Sequence, residues 1–243
     1  MLDKDYESLT KKLVSWIKKQ VDISGCQGAV VGISGGIDSA VTAVLCKKAF
    51  PKKTLGVIMP CLSNSEDKDD ALLLANKFSI NYNLVDLKKS FKTLISSLPD
   101  SINGKTKIAR ANIKPRLRMI VLYYYANLNN YLVVGTGNRS ELKLGYFTKY
   151  GDGGVDIEPL GNLVKTEVKE IAELLEVPDK IINKPPSAGL WENQKDEKEI
   201  GVSYEQIDKY ILTNEGSIKT KNIVNNLATK NQHKLQPPPV PDF

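Results

Sequence analysis

Thiols and long apolar runs are both scarce in this chain of 243 residues, and each shortage excludes something. Cysteine occurs three times, at Cys26, Cys46 and Cys61, an odd number without C-x-x-C spacing. A disulfide framework is therefore not expected, and a reducing compartment is the simpler reading. No apolar run approaches the roughly 18 residues needed to cross a bilayer. The N-terminus, MLDKDYESLTKKL, carries acids where a signal peptide has an uncharged apolar core. These absences predict a cytoplasmic protein without membrane association. No internal repeat is present either.

What remains is ordinary for a globular protein: 41% hydrophobic and 26% charged residues. The length suffices for one sizeable domain with a full core, or two small ones. Lysine and arginine number 34 against 28 acids, a net charge of +6. That excess suits an anionic ligand such as a nucleotide, and a Lys-rich composition alone also produces it.

Along the chain, Tyr6, Leu9, Leu13, Trp16 and Ile17 fall at helical spacing and predict an amphipathic helix over 6–17. Short apolar strands are expected at 27–33, 54–59, 81–85 and 131–134. Helices fall between them, including one introduced by a capping-box pattern at Ser63 and Glu66 and a long one over 109–128. Strands alternating with helices of a dozen residues predict an α/β fold: a doubly wound parallel sheet with helices on both faces. Nearly wholly apolar strands such as AVVGI and YLVV fit burial on both sides. Beyond Val164 the pattern is helical. Residues 185–201, rich in Pro, Gly and charge, read as a mobile loop. The end, QPPPVPDF at 236–243, reads as a proline-rich tail to a single domain over 1–243.

The informative stretch is GISGGIDS at 32–39, between the first strand and a helical segment. A strand, a glycine turn and a helix make a phosphate site, because backbone N–H groups and the helix dipole converge on an anion. Ser34 and Ser39 add hydroxyl donors. The Walker pattern needs a lysine where this chain has Ile37, and the dinucleotide G-x-G-x-x-G is absent. An acid inside a polyphosphate cradle is repelled unless a cation intervenes, so Asp38 makes sense as a Mg²⁺ ligand. The plainer alternative is a strand–helix turn with Asp38 as a cap.

SGGIDS resembles the SGG-x-DS signature of the PP-loop ATP pyrophosphatases, which cleave ATP between its α and β phosphates. GYFTKYGDGGVDIEP at 145–159 is similar to a segment of the NAD synthetases. The likeness continues through Lys165, KPPSAGLW at 184–191, DEKEIGVSYEQID at 196–208 and His233-Lys234. It spans about 15–235 and points to the ammonia-dependent NAD synthetases, a family of homodimers with the substrate site near the interface.

The resemblance implies that Gly32, Ile33, Ser34, Gly35, Gly36, Ile37, Asp38 and Ser39 bind the ATP triphosphate, with Asp38 on Mg²⁺. Thr136 falls on an ATP-binding threonine and Glu141 on a second Mg²⁺ ligand. Lys165 and Ser187 match further ATP contacts, Ser187 where threonine is usual. Arg116, Lys149, Asp156, His233 and Lys234 match residues that bind deamido-NAD. Many members have Asp-His-Ala where this chain has Gly137-Asn138-Arg139. Taken singly, Glu141 also reads as a surface acid, Lys149 and Lys165 as solvated charges, and GDGG at 151–154 as a hairpin turn. Tyr123, Tyr124 and Tyr125 read as core and subunit contact.

The implied activity is amidation of deamido-NAD by ammonia, driven by ATP, to give NAD, AMP and pyrophosphate. Asp38, Lys165 and Glu141 would be its catalytic groups, through charge neutralisation. One histidine and three scattered cysteines offer no glutaminase constellation, so free ammonia is the expected donor. The competing expectation is a PP-loop enzyme that adenylates a tRNA base. Nucleic acid is otherwise not an expected partner.

Overall fold

The computed structural model describes residues 4–99, 106–191 and 194–242. Its centre is a parallel sheet in the order β3-β2-β1-β4. The strands are β1 (Gly28–Gly32), β2 (Thr54–Ile58), β3 (Asn81–Leu84) and β4 (Tyr131–Val133). Successive side chains of a strand point to opposite faces, and β1 divides its residues accordingly. Ala29 and Val31 join one core with Ile17, Val44, Leu74 and Ile171. Val30 joins the other with Val57, Phe91, Ala126 and Val133. Because both faces are covered, the strand has no polar alternation, which is why the apolar run identified it.

The first face is covered by α1 (Tyr6–Ile23), α2 (Ile37–Ala49), α3 (Ser65–Lys77) and α8 (Lys165–Leu174). The second is covered by α4 (Lys88–Ser96) and α6 (Ile113–Asn129), the latter preceded by α5 (Thr106–Ala111). The expected doubly wound fold is therefore present. A third core joins α7 (Arg139–Leu144), α11 (Tyr204–Thr213) and α12 (Ile218–Asn231) through Leu144, Ile207 and Val224. The short α9 (Asp179–Ile182) and α10 (Asp196–Ile200) complete the chain. Beside β4, Val134 bridges Ile157 in parallel, so 155–158 extends the sheet edge.

Three local expectations are corrected. Ser63 does not cap α3: Asn64 does, accepting from the Glu66 N–H at 3.4 Å. The Ser63 hydroxyl instead receives the Arg118 guanidinium at 3.1 Å. The long helix over 109–128 is broken at Asn112. Pro115 has no N–H to donate back to Ala111, so it sits in the first turn of a new helix, where that donor is not needed. The 185–201 segment is not loop throughout, since it carries α10. Asp196 accepts from the Ala188 N–H at 2.9 Å and Gln194 from the Leu190 N–H at 2.8 Å. Glu192 and Asn193 of that segment, and Phe243 of the tail, lie outside the described residues.

Candidate active site

The glycine turn leaves the carboxyl end of β1, where open α/β sheets bind ligands. The sheet order reverses here, β2 lying on one side of β1 and β4 on the other. Gly36 caps α2 without a side-chain bond, leaving the first N–H groups of the helix directed at the turn. Ser39, almost fully buried, holds the turn from inside. Its hydroxyl donates to the Gly36 carbonyl at 2.9 Å and accepts from the Ser34 N–H at 3.1 Å. Gly35 has φ +82°, and a Cβ there would stand 2.3 Å from the Asp67 carbonyl oxygen. Only glycine fits both the dihedral and the space.

Lys165 opens α8 and brings its ammonium between two acids. It ion-pairs with Asp38 and lies 3.4 Å from a Glu141 carboxylate oxygen. The three side chains are 11%, 16% and 19% exposed, respectively, so these charges meet largely out of water. Burial alone would lower the Lys165 value; Asp38 and Glu141 outweigh it and hold the ammonium above its ordinary range. Burial, with the Asp38 charge adding to it, pushes the Glu141 carboxyl up against the opposing pull of Lys165. The Lys165 ammonium also sits 5.2 Å over the Tyr204 ring.

Buried polar groups fix this trio. Asn138 caps α7 in a capping box with Glu141 and also donates to Asp38 at 2.9 Å. Asp208, from α11, accepts from the Ser140 hydroxyl and from the Thr166 N–H at 2.8 Å. The Ser140 oxygen accepts in turn from the Lys165 N–H at 3.1 Å, so the starts of α7 and α8 share one anchor. Glu158 accepts from the Gly137 N–H at 2.9 Å. With Thr136, Glu141, Phe147 and Asp152, it lines a cavity of about 40 Å³.

Two carboxylates converging on one point offer hard oxygen donors. Among the described residues no cluster of three or more Asp, Glu, His or Cys forms a metal cage. The fit to a hard cation such as Mg²⁺ therefore rests on the two carboxylates alone, with phosphate oxygens and water completing such an ion's shell.

The predicted second-substrate residues divide. Arg116 donates to the Lys149 carbonyl at 3.3 Å, and the Lys149 ammonium donates to the carbonyls of His233 and Gln236. Lys234 donates to the carbonyls of Gly145 at 2.7 Å and Phe147 at 2.9 Å. These four therefore gather around the 145–149 segment. Asp156 is engaged elsewhere, accepting from the Tyr123 hydroxyl and the Val133 N–H. Ser187 is exposed and its hydroxyl accepts from the Gly189 N–H at 3.1 Å. The tyrosines split: Tyr123 and Tyr125 pack on the core, whereas Tyr124 is 62% exposed. A groove of about 540 Å³ between α7 and α11 is lined by none of the predicted residues.

Asn138, Ser140, Glu158 and Asp208 were missed from the sequence. For Asn138 a signal existed, because Asn followed three residues later by Glu is an N-cap pattern. Asp208 and Glu158 had none, since their partners are 42 and 21 positions away.

A model of the NAD synthase family matches residues 9–238. The NH(3)-dependent NAD(+) synthetase of Carboxydothermus hydrogenoformans is 53% identical over 238 residues, covering 98% of both chains. Among solved structures, NMN synthetase from Francisella tularensis is similar at TM-score 0.93 and 36% identity, covering 99% of this chain and 100% of that one. The NH3-dependent NAD synthetase from Campylobacter jejuni gives TM-score 0.81 at 31% identity, with 98% and 100% covered.

Proposed function

This chain belongs to the NAD synthase family, and from that premise we propose that Asp38, Glu141 and Lys165 are the charge-neutralising centre of its reaction. The enzyme is a ligase: it amidates deamido-NAD with ammonia at the expense of ATP, yielding NAD, AMP and pyrophosphate. A tRNA-modifying role is not favoured by the family or by these relatives.

The chemistry requires such a centre. A nicotinate carboxylate resists ammonia because it is an anion with no leaving group. Its oxygen attacks the α-phosphorus of ATP, the bridging bond to the β-phosphate breaks, and pyrophosphate departs. Ammonia then adds to the acyl carbon of the adenylate, AMP leaves, and a proton is released. Both reactants of the first step are anions, so electrostatic stabilisation and positioning carry the catalysis. The glycine turn would hold the triphosphate through its N–H groups, with Ser34 and Ser39 beside them. Lys165 would move from its acids toward the departing phosphates. Mg²⁺, held by Asp38 and Glu141, would offset charge on the triphosphate.

Thr136 and Ser187 would complete the ATP contacts, the latter after its segment moves inward. Arg116, Lys149, Asp156, His233 and Lys234 would bind the dinucleotide acid. A homodimer is supported by Ile120, Tyr124 and Leu128, which leave a 58–65% exposed apolar stripe along α6. One domain over 1–243 agrees with the extent of the family match. Among the described residues no helix is long and apolar enough to cross a membrane; the proposed location is the cytoplasm.

The observation that carries the reading is the convergence of Asp38, Glu141 and Lys165 at the carboxyl end of β1. The test is NAD formation by the purified chain from ATP, Mg²⁺ and deamido-NAD with ammonium chloride against glutamine. Turnover with ammonium and a stoichiometric release of pyrophosphate are expected; robust glutamine-supported turnover with ammonia scavenged contradicts it. The likeness to an NMN synthetase favours a second reading, in which nicotinate mononucleotide is the preferred acid. Direct competition between the two acids at equal concentration decides between them.

A further inference from the structure

We infer that Asn138 is a positioning residue of the reaction, fixing the Asp38 carboxylate relative to Glu141 so that both acids address one cation. The inference rests on the reading of Asp38 and Glu141 as metal ligands and deepens it.

Asn138 is 0% exposed, and both ends of its amide are used. Its oxygen accepts from the Glu141 N–H at 3.0 Å, and its NH₂ donates to Asp38 Oδ1 at 2.9 Å. The opposite orientation of the amide would set its oxygen against a carboxylate and its NH₂ against an N–H, so the two partners fix it. The Asn138 N–H also donates to Glu141 Oε2 at 3.3 Å, leaving Oε1 to face Lys165. Asp38 is divided likewise, Oδ1 to Asn138 and Oδ2 to Lys165. One residue thus orients one oxygen of each acid, that of Asp38 through its side-chain amide and that of Glu141 through its backbone N–H, and leaves the other oxygen of each facing the Lys165 ammonium.

Capping alone does not call for asparagine. Serine, threonine and aspartate cap as well. Serine and threonine stop an atom short of Asp38, and aspartate would present a second negative charge to it. The demand for an N–H donor toward Asp38 is what selects the amide. The turn that carries Asn138 is itself held: Glu158 binds the Gly137 N–H and stands 3.1 Å from where a Cβ on Gly137 would lie. The amide therefore approaches Asp38 from a backbone with little freedom to shift.

The test separates capping from positioning. Asn138→Ser keeps an N-cap oxygen and loses the donor to Asp38. The full chain is titrated with Mn²⁺, read by loss of the free-ion paramagnetic signal, with α,β-methylene-ATP bound. The loss of one charge-assisted hydrogen bond predicts Mn²⁺ binding and kcat each weaker by about tenfold. Metal-free binding of the nucleotide should match the parent protein, and a modest fall in the thermal midpoint is expected where a buried hydrogen bond is lost. If Asn138→Ser binds Mn²⁺ as the parent does, or weakens nucleotide binding equally without metal, the positioning role is overturned. If its midpoint falls steeply, Asn138→Thr, which fills more of the site and also caps, repeats the titration: weaker Mn²⁺ binding supports the role and parent-like binding overturns it. If the parent protein itself takes up no Mn²⁺ beside the nucleotide, the metal-ligand reading of Asp38 and Glu141 fails, and the inference with it.

Discussion

Asp38 and Lys165 stand 127 positions apart in sequence and form a largely buried ion pair, which Glu141 joins at 3.4 Å from the Lys165 ammonium. Removing one member of such a group leaves the others uncompensated, at a cost of about 3–5 kcal/mol for a fully buried pair and less here, where water reaches part of each side chain. Lys165→Met is therefore expected to lower the thermal midpoint and to reduce pyrophosphate release by roughly a hundredfold. Because a cation between the acids replaces the lost charge, Mg²⁺ with ATP should raise the midpoint of the variant more than that of the parent. Scanning calorimetry with and without the pair of ligands, beside a pyrophosphate-release assay, checks both parts; an unchanged turnover removes Lys165 from the catalytic centre.

Glu158 gives a pH dependence of definite sign. Burial pushes its carboxyl up to about 8, the charges of Glu141, Asp152 and Asp38 adding to the effect and the Gly137 N–H opposing it. An acid whose folded value stands above its unfolded one binds more protons when folded. Its penalty is absent below the unfolded value of 4.5, grows as pH rises, and is complete above about 8. Glu158→Gln keeps an acceptor for Gly137 and removes the titration. Urea unfolding of the metal-free protein should show similar stabilities at the acid end of that window. Above its upper limit the variant should be the more stable protein. Parallel pH profiles for the two proteins would show that Glu158 titrates as an ordinary carboxyl.

The fold was legible because its signals were local. AVVG declares a strand covered on both faces, and the glycine turn declares a strand–helix junction by its composition. The site was legible only in part. Asp38, Glu141 and Lys165 sit on three separate elements, and no periodicity links them; the likeness to a family brought them together. The groups that hold them were invisible for the same reason. Asp208 anchors α7 and α8 from α11, a relation made by tertiary packing alone. The misplaced cap of α3 shows a different limit. Ser63 had the right pattern, but Arg118, 55 positions away, takes its hydroxyl, and Asn64 is one residue nearer the helix.

The α6 stripe predicts how the protein associates. Ile120, Tyr124 and Leu128 recur every four residues and stay exposed, while Ala126 and Leu117 of the same helix face the core. Sedimentation should find a particle of about twice 26.9 kDa. Tyr124→Glu places a charge in the middle of the stripe and removes little intramolecular packing, since that ring meets its neighbour Tyr125 edge-on and is otherwise largely open to water. The variant is expected to sediment as a folded monomer. A monomeric parent protein would remove the stripe's role in assembly.

Gly35 is the narrowest point of the phosphate turn. Its φ of +82° strains any L-residue by about 1–3 kcal/mol. An added Cβ would also meet the Asp67 carbonyl at 2.3 Å, a main-chain atom near the start of α3 that no rotamer change can withdraw. Relief requires either the turn or the start of α3 to shift. Asp67 ion-pairs with Lys184, at the head of the segment that carries Ser187, so a shift there would propagate toward that segment as well. Gly35→Ala should accordingly retain the sheet, whose strands lie outside the clash, and lose nucleotide binding disproportionately. Circular dichroism near that of the parent, together with at least a roughly hundredfold weaker binding of α,β-methylene-ATP, is the expected pair of results. Parent-like affinity would mean that the triphosphate does not rest on this turn.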